Sequence, residues 1–492
     1  MKSRAPLSAY FQKFRDNIVG IEEVIETPNG AMPLIYTDWT ASGRLYEPIE
    51  RKILEDFGPF MANSHTTTTT TGNLITMAYH QARQIVKNHV GATEDDILIF
   101  TGHGMTGAIN KLQRMMGLRL HEFFHDKICL EEKQRPIVFI THMEHHSNQT
   151  SWLETIADVE IIPYLNEKDI DFEAFEKLLE KYKNRNLKIA SVTACSNVTG
   201  LKPDYKKIAR MIHNAGGYMF VDFACSAPYV DMNMHPEDEE ERLDAIFFSP
   251  HKFLGGPGAN GVLVFNKILY VNKIPDNPGG GTVLWTNPWK EHRYYDDPEI
   301  REDGGTPGIL QAIRTALAIE LKEQMGVRNI QEREHEILSR LIPAFKSIEN
   351  LHLLAGDFED RLGVLSFYID DLPYNLGVRL LNDHFGIQTR GGCSCAGTYG
   401  HILLGIDREK SKKIIKEVEE GHEEAKPGWI RLSIHPTTSD EEVAYINKAV
   451  KALAHNFKEW SKDYELKNGT YVHKRFPEIN FLIHQVNDWF RL

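Results

Sequence analysis

Lys252 is the residue around which chemistry can be built. It lies in Ser249-Pro250-His251-Lys252-Phe253-Leu254-Gly255-Gly256-Pro257-Gly258, directly after the apolar run Ala245–Phe248. Glycines let backbone approach a flat ligand or a phosphate closely. A lysine desolvated there has a lowered pKa and can attack an aldehyde as a neutral amine. A surface lysine beside a turn would explain the segment equally well on its own. Asp222, thirty residues earlier, changes that balance. A carboxylate at the carboxyl end of a parallel strand points into the crevice where such folds bind ligands. Beside a pyridine nitrogen it keeps that nitrogen protonated, which makes the ring an electron sink. An aspartate capping a turn is the plain alternative, but the Asp–Lys pair favours pyridoxal 5'-phosphate.

Three further segments fit that ligand. Gly102-His103-Gly104-Met105-Thr106-Gly107 follows the run Ile97–Thr101 and opens a helix, an arrangement that offers backbone N–H groups to a phosphate. Glu144-His145-His146-Ser147-Asn148 places an imidazole where it can lie on a ring and move a proton. Adjacent histidines could also bind metal, but no CxxC or HxxxH partner accompanies them, and no metal is expected. Asn197, after another apolar run, is placed to donate to a phenolic oxygen, or else to close an Asx turn.

These residues need a scaffold that puts strand ends together. Ile97–Thr101, Ile137–Thr141, Ile189–Thr193, Tyr218–Val221, Ala245–Phe248 and Val262–Phe265 read as strands buried on both faces. Helical stretches separate them, as at Tyr205–Asn214, where Ile208, Ala209 and Ile212 share a face and Gly216-Gly217 end the helix. This is an α/β pattern with a mostly parallel sheet. Beyond Gly305-Thr306-Pro307 the pattern becomes α+β. The expected division is an N-terminal arm (1–32), a large cofactor-binding domain (33–310), a small α+β domain (311–455) and a helical C-terminal tail (456–492). The Gly-, Pro- and Trp-rich stretch Pro275–Arg301 reads as a long loop.

Bulk properties narrow the class. Acidic residues outnumber basic ones by 69 to 56, a formal charge of −13, which argues against a nucleic-acid partner. No run approaches a membrane span, and the first twenty residues lack a signal-type apolar core, so a cytoplasmic location is expected. Five cysteines in 492 residues do not make a disulfide framework.

Taken in order, the segments resemble the class V aminotransferase superfamily of fold-type I pyridoxal-phosphate enzymes, within it the cysteine desulfurase and selenocysteine lyase branch. The resemblance runs from Tyr36-Thr37-Asp38-Trp39-Thr40-Ala41-Ser42 through Asn63-Ser64-His65 and the segments above to Gly304-Gly305-Thr306-Pro307 and Arg431-Leu432-Ser433. It implies a seven-stranded, mostly parallel sheet and a homodimer with active sites at the interface. It also implies that Lys252 is the Schiff-base lysine, that Asp222 faces the pyridine nitrogen and that His145 stacks on the ring. Met105, Thr106, Ser249 and His251 would hold the phosphate, Thr306 would reach the neighbouring subunit's phosphate, and Arg431 would clamp a substrate carboxylate. One position departs from the family: Asp222-Phe223-Ala224-Cys225 carries Cys225 where a glutamine commonly meets the phenolic oxygen, and a thiol is a weaker donor.

The reaction hinges on Arg390-Gly391-Gly392-Cys393-Ser394-Cys395-Ala396-Gly397. Its resemblance to the desulfurase "R-x-G-x-x-C-A" segment implies that Cys395 accepts sulfur from an amino-acid substrate and that Arg390 helps bind that substrate. A sulfur-acceptor protein would then be a partner. Both cysteines could instead merely line the substrate loop of an aminotransferase, epimerase or C–S lyase. A sulfur-relay or binding protein without catalysis is the reading from another class, and an intact Lys252 and Asp222 speak against it.

Overall fold

The computed structural model describes residues 6–64, 66, 68–422, 425–476 and 478–491. His65, position 67 in the threonine-rich stretch, positions 1–5 of the arm and positions 477 and 492 of the tail lie outside the described residues.

The centre is a seven-stranded sheet of β1 (Asp96–Thr101), β2 (Ile137–Ile140), β3 (Asp158–Ile161), β4 (Lys188–Thr193), β5 (Tyr218–Asp222), β6 (Ala245–Phe248) and β7 (Gly261–Asn266). Their spatial order is β1-β7-β6-β5-β4-β2-β3. β7 alone runs against the direction of the other six strands. The six strands expected from sequence are present. The seventh, β3, reads Asp-Val-Glu-Ile and is only half-buried at the sheet edge, so its apolar signal is too short to stand out.

Apolar side chains fill both faces. Val192, Val221, Ile246 and Val264 pack on one side with Ile208 and Ile212 of the helix Tyr205–Asn214. Phe220, Phe247 and Leu263 pack on the other with Ile109 and Leu112 of α1 (Gly104–Met115). Burying one such side chain contributes roughly 1.5–3 kcal/mol. Covered on both faces, the sheet is left with its carboxyl-end rim free to carry chemistry.

A second sheet, wholly antiparallel, orders β8 (Leu351–Leu353), β9 (Val364–Ile369), β11 (Trp429–Ser433) and β10 (Arg390–Gly392). It packs with Ile337, Leu341 and Phe345 of the helix Val327–Lys346 and with Ile446 and Leu453 of the helix Asp440–Trp460. Ile35–Tyr36 pairs in parallel with Ile387–Gln388, and Asp38 bridges to Ser433. These pairings carry the segment Asp38–Ala41 from the second sheet toward the rim of the first.

Two segments differ from the sequence reading. The expected loop Pro275–Arg301 contains a hairpin, Val283–Thr286 with His292–Tyr294, and a short helix, Pro298–Arg301. The expected helical tail 456–492 begins inside the helix Asp440–Trp460 and then forms a hairpin, Tyr464–Lys467 with Thr470–His473, before the helix Glu478–Trp489. Asn468 and Gly469 at that turn both have positive φ (48° and 75°), the conformation an Asn-Gly hairpin turn requires.

Candidate active site

At the carboxyl ends of β4, β5 and β6 lies a cavity of about 480 Å³, within the range usual for small-molecule sites. It is lined by Met105, Thr106, His145, Asn197, Asp222, Cys225, Ser249, His251, Lys252, Arg390, Cys395 and Arg431. Of the site residues expected from sequence, only Thr306 is absent from this lining. It is exposed in the turn before the helix Ile309–Met325.

Lys252 ends a single 3₁₀ turn, Pro250–Lys252, that follows β6. The turn is closed by Gly256, where a Cβ would sit 1.9 Å from the Pro250 carbonyl oxygen. Burial lowers the Lys252 pKa, against the pull of Cys225 and Asp222. Asp222 terminates β5, and its Oδ1 accepts the Ala224 N–H at 2.8 Å. Burial pushes its carboxyl up to about 6, opposed by that N–H and by Lys252. A cationic ring nitrogen against this carboxylate would supply the charge that burial withholds.

His145 caps the helix His146–Leu153, its Nδ1 accepting the Ser147 N–H at 3.1 Å. The neutral ring must therefore carry its proton on Nε2. Burial, with Lys252 next in effect, lowers its pKa to about 3, so it is neutral under ordinary conditions. Just before it, Glu144 is wholly buried, accepting from Thr141, Asn148 and Thr193, and burial raises its pKa to about 7. This carboxyl knits β2 to β4 beneath the site. Its role was hidden in sequence because buried carboxyls leave no periodicity.

The first turn of α1 offers N–H groups and no acidic side chain. Ser249 Oγ accepts the Met105 N–H at 2.8 Å, and Thr106 Oγ1 lies 2.7 Å from Ser147 Oγ. Gly104 has φ of 58°, and a Cβ there would come 2.9 Å from Ser249 Oγ. The backbone thus forms a cradle that a larger residue would fill. Cradle, amine and buried carboxylate fit the phosphate, aldehyde and ring nitrogen of pyridoxal phosphate.

On the opposite wall, Arg431 Nη1 donates to the Asn197 carbonyl at 3.2 Å and Nη2 to Asp38 Oδ1 at 2.7 Å. Its buried Nε has no partner among the described residues. Arg390 Nε donates to Asp38 Oδ2 at 3.0 Å. Asp38 was not singled out from sequence, although it stands in the Tyr36–Ser42 segment. Asn197 Nδ2 donates to the Ser394 carbonyl at 2.6 Å, which leaves one amide hydrogen for a phenolic oxygen.

Ser394 and Cys395 both have positive φ, 53° and 56°, unusual for residues with a Cβ. Hydrogen bonds hold this turn: Trp429 Nε1 to Ser394 Oγ at 3.2 Å, His146 N to the Cys395 carbonyl at 2.7 Å, and Gly397 N to His146 Nε2 at 2.9 Å. Cys395 is exposed and faces the cavity, whereas Cys393 turns into a cluster with Met143, Tyr399 and Trp429. All five cysteines are free.

Fold and cavity define a class, the pyridoxal-phosphate enzymes of fold type I. Within it the chain belongs to the aminotransferase class-V family, whose model matches residues 35–446. Among curated relatives it is similar to a probable cysteine desulfurase of Halalkalibacterium halodurans, 29% identical over 383 residues, which cover 76% of this chain and 86% of that protein. It is also similar to one of Staphylococcus aureus, 29% identical over 370 residues, covering 74% and 83%. Its fold is that of the cysteine desulfurase from Thermococcus onnurineus (TM-score 0.72, 24% identity, 90% of this chain and 98% of the other). The same holds for a cysteine desulfurase from Escherichia coli (TM-score 0.68, 19% identity, 90% and 98%). Among the described residues, no helix is long and apolar enough to cross a membrane and no group of side chains could hold a metal ion.

Proposed function

We propose that the protein is a cysteine desulfurase that takes sulfur from L-cysteine onto Cys395 and releases L-alanine. The observation that carries this reading is the placement of Cys395, exposed on a held turn, in the cavity that also contains Lys252 and Arg431. Relatives named as probable cysteine desulfurases support it.

In this reading Lys252, Asp222, His145, Asn197, Cys225, Ser249, His251 and the first turn of α1 hold the cofactor, which supplies an aldehyde and an electron-accepting ring. Lys252, its amine kept neutral more readily by burial, carries the proton to and from the substrate Cα. Arg431 and Arg390 orient the substrate carboxylate. The neutral His145, with its proton on Nε2, stacks without adding charge. Cys395 as thiolate attacks the substrate sulfur: an S–S bond forms, the substrate Cβ–S bond breaks, and Cβ takes the electron pair and a proton. The products are a Cys395 persulfide and alanine. A thiol-bearing acceptor then removes the terminal sulfur. In the same reading, residues 33–310 bind the cofactor and 311–455 form the small domain. Two copies form a dimer in which Thr306 serves the neighbouring site, in the cytoplasm.

Purified protein given L-cysteine should form alanine and sulfide in the presence of a reducing thiol. Cys395→Ala should abolish both while the visible cofactor band persists. A selenocysteine lyase that releases selenium without a persulfide would keep its activity in that variant. An aminotransferase would transfer the amine to a keto acid regardless of position 395.

A further inference from the structure

Two neighbouring histidines serve different parts of the site. His145 lines the cavity, whereas His146 meets the turn that bears Cys395. The His146 backbone N–H donates to the Cys395 carbonyl at 2.7 Å, and its ring Nε2 accepts the Gly397 N–H at 2.9 Å. An amide N–H can only donate, so Nε2 is unprotonated and the neutral ring carries its proton on Nδ1. That tautomer is the reverse of the one at His145. Residue 146 thus grips both ends of Cys395-Ala396-Gly397, while the Ala396 N–H closes the turn on the Cys393 carbonyl at 3.0 Å. Gly397 suits the contact, since a Cβ there would lie 3.2 Å from Nε2. One turn further along, Gln149 Nε2 donates to Thr398 Oγ1 at 2.7 Å, so the helices His146–Leu153 and Gly397–Leu403 stay aligned.

We propose that His146 is a positioning residue: its unprotonated Nε2 keeps the Cys395 thiol at the cavity, and a proton there releases it. In the desulfurase reading, on which this rests, that thiol has to meet the substrate sulfur. Ser394 and Cys395 hold positive φ, a conformation that side-chain-bearing residues keep only when their surroundings enforce it. A proton on Nε2 sets a donor against the Gly397 donor, and the bond between them breaks. The titratable neighbour on the ring's own helix is His145. Facing it are Cys395 and His401, whose ring is engaged with the Gly397 carbonyl and Ser411 Oγ, and Tyr164 lines the groove beyond. None of these is a carboxylate that would hold a proton on the ring, and burial lowers the His146 pKa from 6.5. The grip is therefore complete at neutral pH and opens as the solution is acidified below 6.5.

Hydrogen exchange in the full-length protein loaded with pyridoxal phosphate reads this as protection of the Ala396 and Gly397 amides over their intrinsic rates. At neutral pH, His146→Ala should lose about tenfold in protection, and His146→Gln, whose side-chain oxygen can accept in place of Nε2, should retain it. From about pH 7 to about pH 5 the parent should lose protection at these amides, while His146→Gln stays level. An Ala variant as protected as the parent, a Gln variant as exposed as the Ala variant, or a parent without the acid loss would overturn the proposal. The acid step is read in the parent alone, so an Ala variant that fails to fold leaves the question decidable. No L-cysteine is added, so a protein that forms no alanine can still show the His146 grip, and the two failures stay distinct.

Discussion

Arg390 and Arg431 stand directly opposite one another on adjacent antiparallel strands. Like charges in that register normally destabilise a sheet pair. Asp38 resolves the conflict: one oxygen takes Arg431 Nη2 at 2.7 Å, and the other takes Arg390 Nη2 at 2.9 Å. The carboxylate arrives on the segment that pairs with Ile387–Gln388, so the N-terminal strand fixes the geometry of the anion clamp.

Asp38→Asn should therefore loosen both guanidinium groups. An approximately tenfold rise in KM for L-cysteine, worth about 1.4 kcal/mol, is expected with a smaller change in kcat. Steady-state alanine formation measures it. A fall in KM would show instead that Asp38 competes with the substrate for Arg431.

Asn197→Ala removes the donor to the Ser394 carbonyl. Leaving a buried acceptor unmade costs about 1–3 kcal/mol. Because the cost falls on one turn, hydrogen exchange should accelerate at residues 393–397 more than in β4 or β5. Uniform protection across all three would contradict the pinning described here.

Glu334 is wholly buried, and its Oε1 accepts the Gly363 N–H at 3.1 Å. Burial raises its pKa from 4.5 to about 8. The folded protein then holds a proton that the unfolded chain releases, so this group's contribution is complete below pH 4.5 and is lost as pH rises toward 8. Glu334→Gln should melt near the wild-type temperature at the acid end of that window and above it at the alkaline end. Parallel melting curves at both ends would refute the assignment.

Thr306 can be tested by mixing subunits. If it serves the neighbouring site, a heterodimer of Lys252→Ala and Thr306→Ala subunits holds one site with both defects and one with neither. Activity should then exceed that of either parent homodimer. If each Thr306 serves its own subunit, no such recovery occurs.

Much of the scaffold was legible in the sequence because strands buried on both faces write unbroken apolar runs, as at Ala245–Phe248. Edge strand β3 was not, since half-burial dilutes its signal. The tail hairpin had a readable mark, Asn468-Gly469, set in a segment otherwise expected to be helical. At the site, side chains that end strands were found, because strand ends are where ligands bind. Asp38 and Glu144 were missed. Each acts through a partner far away in sequence, and only the folded chain brings Asp38 to Arg431 or Glu144 to Thr193.

The turn bearing Cys395 is tethered through Ser394 to Asn197 on one side and Trp429 on the other. A thiol mounted on two anchors does not sweep outward as an arm would. Any molecule that collects an atom from it has to bring its own reactive group to the cavity mouth, so delivery depends on the reach of the visitor rather than the host.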